Sequence, residues 1–112
     1  MPDALRTLGQ SAPIATTATT LYTAPAAATT GVTVSSVVIC NRGPASAKFR
    51  LWVAVAAAAD ANQQYLYYDV PVAANDTFVA TIGITLAATD LLRCQTDQAT
   101  VSFNAFGIES SP

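Results

Sequence analysis

The sequence predicts an all-β protein: a β-sandwich or jelly-roll-like barrel of about seven to eight antiparallel strands, led by an extended N-terminal arm. Three observations lead there. Segments of alternating apolar and polar residues recur along the 112 residues. Turn chemistry separates them at roughly ten-residue spacing. Nothing between them has the length and period of the helices that a βαβ fold requires. The expected layout is an arm over 1–13, a sandwich domain over 14–109 and a short polar tail over 110–112.

The elements follow in order. Met1 to Pro13 mixes polar, small and proline residues with the isolated apolar Leu5 and Leu8. It reads either as a frayed terminus or as an arm that orders on a neighbouring subunit. Thr17 to Thr23 is rich in β-formers and stops before Ala24-Pro25, where proline removes a ladder donor. Val32 to Asn41 is apolar on both faces in its second half, as suits a central strand. Arg42-Gly43-Pro44 ends it.

Ala47 to Val55 alternates most cleanly. Phe49, Leu51, Val53 and Val55 point one way, while Lys48, Arg50, Trp52 and Ala54 point the other. Ala56 to Asp60 is too short for an isolated helix and reads as a long hairpin connection. Tyr65 to Val72 sets Leu66, Tyr68, Val70 and Val72 against Tyr65, Tyr67, Asp69 and Pro71. Asn75-Asp76 is a turn signal. Thr77 to Leu86 reads as one strand in which Gly83 marks a bulge or a close backbone approach. Leu91 to Thr96 and Thr100 to Ile108 are the last two strands.

The composition bounds the function. One domain fits the length. The chain is 52% hydrophobic and only 11% charged, with net charge −2. A typical soluble domain has roughly 25% charged residues, so much of this surface is uncharged and suits burial against other subunits. No window approaches the ~18 consecutive apolar residues of a membrane span. The five basic residues, Arg6, Arg42, Lys48, Arg50 and Arg93, form at most one modest cluster. No nucleic-acid partner is therefore expected. The segment MPDALRTLGQ lacks the basic-then-apolar layout of a secretory signal. Synthesis inside a cell with reduced thiols is expected.

Chemistry-bearing patterns are sparse. The sequence has no histidine, which removes the commonest general base and metal ligand and any Ser–His or Cys–His pair. Cys40 and Cys94 lack metal-site spacing. No glycine-rich phosphate loop is present, so no cofactor is expected. Asp60, Asp69, Asp76, Asp90, Asp97 and Glu109 are the candidate carboxylates. Most lie in or before turns, where aspartate bonds the local backbone. Cys40, in VVICNRGP, reads as a small buried or half-buried thiol at a strand end, with Asn41 to Pro44 turning the chain. Tyr65 and Tyr67 share a face of a regular strand and are either sheet cover or an exposed binding pair. Trp52, beside Lys48 and Arg50, belongs to an outer, partner-facing surface. The candidate interaction residues are therefore Leu5, Leu8, Ile14, Trp52, Tyr65 and Tyr67.

Several stretches together resemble a family of small virion proteins of tailed bacteriophages. They are LGQSAP (Leu8–Pro13), TTLYTAPA (Thr19–Ala26), VSSVVICNRGPASAKFRLWV (Val34–Val53), QYLYYDVPVAANDT (Gln64–Thr77), GITLAATDLLR (Gly83–Arg93) and VSFNAFGIE (Val101–Glu109). The alanine-rich Ala56–Ala61 departs from the pattern. The resemblance implies a β-rich structural subunit, not an enzyme, with no catalytic residues to transfer. It implies residence in the virion after synthesis in the host bacterial cytoplasm, and other virion proteins as partners. A capsid decoration (cement) subunit forming a trimer or ring is the leading expectation. A neck, tail or baseplate protein and a glycan- or host-surface-binding module are the alternatives.

Overall fold

The computed structural model describes residues 3–24 and 31–110. The start of the expected arm (Met1, Pro2), the Pro25 break and the tail residues Ser111 and Pro112 lie outside them. The described residues form nine strands: β1 (Asp3–Ser11), β2 (Thr19–Thr23), β3 (Gly31–Asn41), β4 (Ala47–Ala54), β5 (Tyr65–Val72), β6 (Thr77–Ala80), β7 (Ile84–Leu86), β8 (Leu91–Thr96) and β9 (Val101–Ser110). They build two antiparallel sheets packed face to face, a β-sandwich. One sheet has the order β1-β9-β3-β6, with β7 pairing further along β3; the other has the order β2-β8-β4-β5.

Two expectations change. The segment read as an arm is an edge strand, since β1 pairs antiparallel with β9 from Asp3↔Ser110 to Ser11↔Phe103. Its alternation was hidden by a register shift between Thr7 and Gly9. Leu8, three residues on, faces the core while Leu5 stays 82% exposed, and the bulge turns Gly9 inward beside Leu8. The predicted strand Thr77 to Leu86 is two strands. β6 pairs with Val37–Cys40 and β7 with Val32–Val34. The break falls beside the bulge at Ser35 of β3, and Gly83 takes the left-handed backbone (φ 64°) that glycine adopts without strain.

Both sheets supply inward side chains by period-two alternation, interrupted at the bulges. Phe49, Leu51, Leu92 and Cys94 from one sheet meet Ile39, Val37, Leu86, Phe103 and Ala105 from the other, all buried. The Phe49 ring packs against Phe78 at 5.4 Å and Phe103 at 6.2 Å. Gly107 is required where β9 meets β3, because a Cβ there would overlap the Thr33 carbonyl oxygen.

A polar corner closes one end of the sandwich. Asn41, the last residue of β3, is fully buried. Its Nδ2 donates to the carbonyls of Ala45 (2.8 Å) and Val72 (3.1 Å). Its Oδ1 accepts from the Gly43 amide and the Thr100 hydroxyl, both at 3.0 Å. Backbone bonds from Arg42 to Thr100, Asn41 to Asp76 and Asn75 to Gly43 tighten the same corner. The side chain joins the approaches to β4 and β9 and the end of β5, and the backbone bonds add the approach to β6. At the opposite end, Tyr22 of β2 donates to Glu109 of β9, which also pairs with Arg6 at 2.8 Å. Burial and then the Glu109 bond raise the Tyr22 phenol above its ordinary range.

Asn41→Ala should lower stability by about 2–3 kcal/mol, the cost of stranding buried polar partners. Urea unfolding should show a lower midpoint with little change in slope. Alkali should also destabilise the fold. Burial pushes the Cys94 thiol up to about 12. Its stabilising contribution is complete below the unfolded value of about 8.5 and is lost as pH rises toward the folded one. Tyr22 has the same sign. Chemical denaturation from pH 8 to 11 should show a shallower loss in Cys94→Ala than in the wild type, and shallower still with Tyr22→Phe added.

Candidate functional site

The outer face of the β2-β8-β4-β5 sheet carries most of the chain's chemistry. Lys48, Arg50 and Trp52 alternate outward from β4, beside Arg93 and Gln95 of β8. On the other side they meet Pro71, the Tyr68–Asp69 bulge and Tyr65 of β5. Arg50 pairs with Asp69 through Nε at 2.7 Å and Nη2 at 3.3 Å. The guanidinium lies 4.1 Å from the centre of the Tyr68 ring, a cation–π distance. The Arg50 hydrogen bonds hold the Asp69 carboxyl below the usual carboxylate range. Beside this pair is a shallow depression of about 250 Å³ lined by Thr16, Lys48, Arg50, Asp69, Gln95 and Asp97.

Trp52 is outward, as the alternation predicts, but it is not a partner-facing residue. It is 1% exposed. The connection after β4 folds back over it, and Asp60 accepts a 2.9 Å bond from the indole Nε1. Arg93 pairs with the same carboxylate at 3.2 Å, 6.0 Å from the Trp52 ring, and Tyr65 packs at 5.1 Å. This is a second small core on the outside of the sheet. Asp90 anchors the same connection: its carboxylate accepts the amides of Ala56 (2.8 Å) and Ala87 (2.9 Å). Ala56 and Ala57 adopt left-handed backbone there, at φ 54° and 58°.

Tyr65 and Tyr67 do not share a face. Tyr65 pairs with outward Trp52 and Tyr67 with inward Leu51, because the register shifts between them at Leu66. Tyr67 packs on Phe49 and Phe78 at the sandwich margin. The exposed aromatic of this face is Tyr68, 56% exposed and edge-on to Tyr65 at 4.9 Å. Of the other candidate interaction residues, Leu5 (82% exposed) and Ile14 (75%) are open to solvent, while Leu8 is half-buried.

The carboxylates are dispersed. Asp60 holds Trp52 and Arg93, and Asp69 holds Arg50. Asp97 accepts the Lys48 amide, Asp90 two loop amides, and Asp76 the Thr77 amide. Glu109 joins Tyr22 and Arg6. Each has a structural partner. Among the described residues, no group of three Cys, Asp or Glu side chains is placed to hold a metal ion, and no helix is long and apolar enough to cross a membrane. Both cysteines are free, Cys40 half-buried and Cys94 buried. The Asn41 and Asp60 networks were missed in the sequence. The signals available were an asparagine two residues before Gly43, an Asx-turn spacing, and an aspartate eight residues after the lone tryptophan.

No protein-family model matches the chain, and no curated protein matches it either.

Asp60→Ala should remove the acceptor of the indole and the counter-charge of Arg93. A loss of about 1–2 kcal/mol is expected. As Trp52 is the only tryptophan, its fluorescence should shift to the red and become more accessible to quencher, whereas Asp76→Ala should leave the emission unchanged.

Proposed function

We propose that the protein is a non-catalytic structural subunit of a bacteriophage particle, an accessory (decoration) protein that binds the viral lattice as a homo-oligomer. The observation that supports this reading most is the division of its surface. Charge is gathered on the outer face of one sheet, while the described side chains on the outer face of the other carry none. An uncharged sheet face favours lasting contact with protein over display to solvent. The motif resemblance gives the contact its setting, and the commitment of the six candidate carboxylates to structural bonds fits a role without catalysis. A neck, tail or baseplate position uses the same surfaces.

A host-surface or glycan-binding module is the second reading, and the polar depression beside Arg50 and Asp69 is what favours it. Its grip would come from Tyr68 and the depression, since Trp52 and Tyr67 are packed inward.

Quantitative mass spectrometry of purified particles separates the readings. A copy number in the hundreds fits a capsid subunit, and a few to tens fits the neck or tail. Absence from the particle contradicts the proposal. A glycan-array signal lost in Tyr68→Ala would favour the second reading.

A further inference from the structure

The outer face of the β1-β9-β3-β6/β7 sheet is laid out by its register in four rows. Leu5, Ile108, Thr33 and Thr85 form the first, and Thr7, Phe106 and Ser36 the second. Gln10, Asn104, Val38 and Val79 form the third, and Ser102, Cys40 and Thr77 the last. These four rows contain no charged residue; beyond the first, Asp3 pairs with Ser110 at the start of β1 and marks the margin of the face. Its polar groups are cheap to bury: Gln10 and Asn104 bond each other at 2.7 Å, and Ser35 donates to the Phe106 carbonyl at 3.1 Å. Apolar side chains stand out of it, with Leu5 82%, Val79 54% and Phe106 37% exposed.

We propose that this face packs against the same face of a second copy, making a two-fold dimer. Three arguments select that occupant. Four rows without charge have nothing to offer a charged partner, and meet their own copy without repulsion or the desolvation of ions. Its extent is sufficient. Four strand columns at about 4.8 Å spacing, along strands of about ten residues, give on the order of 650 Å² per copy. Two copies then bury more than the ~1,000 Å² that marks a specific interface. The contact joins like to like, which only a two-fold axis satisfies, and sheets stack in this way about 10 Å apart in sandwiches. The unit is therefore a dimer, where the sequence suggested a trimer or ring. The inference names the face for the self-association proposed above but does not need the viral setting.

Sedimentation velocity of the intact purified protein tests it. The wild type should move from monomer to dimer with rising concentration. Val79→Lys and Phe106→Asp should each weaken the dimer at least tenfold, whereas Lys48→Glu on the opposite face should not. A monomer at all concentrations, a trimer, or a dimer weakened by Lys48→Glu and not by Val79→Lys would overturn the proposal. Cys40 supplies a readout that needs no substitution. It lies in the last row, so its alkylation should slow several-fold as the dimer forms. A rate independent of concentration would also overturn it. Both measurements are made on the isolated protein, so the particle copy number can fail without affecting them.

Discussion

The sandwich hangs on a single buried amide. Asn41 is the only described residue whose side chain reaches three separate chain segments, and it does so with no exposure to water. Two sheets held by apolar packing alone slide readily, because packing is not directional. Directional bonds at a buried corner set how β3 ends, where β4 begins and how β5 and β9 approach. The geometry is strict because stranding any of these partners in the interior costs free energy that a domain of this size can scarcely spare. VVICNRGP is a corner of the fold, and the thiol beside it is a sheet residue.

With the corner set, the two outer faces differ in kind. Charge is scarce in this chain, and the β2-β8-β4-β5 sheet takes Lys48, Arg50 and Arg93 together with the carboxylates that answer them. There the pairs hold structure. Asp60 ties the long connection down over Trp52, and Asp69 orients Arg50 over Tyr68. Among the described side chains, the opposite face keeps only hydroxyl, amide, thiol and apolar groups. Low net charge in the sequence is thus not spread evenly; it is concentrated as a neutral plane on one side.

Much of this was legible in the sequence. Alternation and turn residues placed β2 to β5, β8 and β9 within a few residues of their true ends, and the all-β class followed. What was not legible shares one cause, the dependence of local geometry on a distant partner. β1 could not be seen because its bulge interrupts the alternation after Thr7, its Leu5 and Leu8 lie on opposite faces, and its partner is at the far end of the chain. The bulge at Leu66 separates Tyr65 from Tyr67, but it exists only in register with β4. Trp52 was placed on the correct face, and its burial depends on a loop whose path no periodicity reveals. Asn41 carried a turn signal, while its reach to Val72 and Thr100 is a property of the packed corner.

Native-state hydrogen exchange at the corner tests the central claim most directly. The Gly43 amide donates to Asn41 Oδ1 and the Arg42 amide to the Thr100 carbonyl. Both lie outside the strands. If the corner is what holds the sheets in place, these two amides exchange only when the whole molecule unfolds, with the same free energy as the amides of Ile39 and Leu51. Exchange of Gly43 and Arg42 by local opening, well before those core strands, would contradict the account.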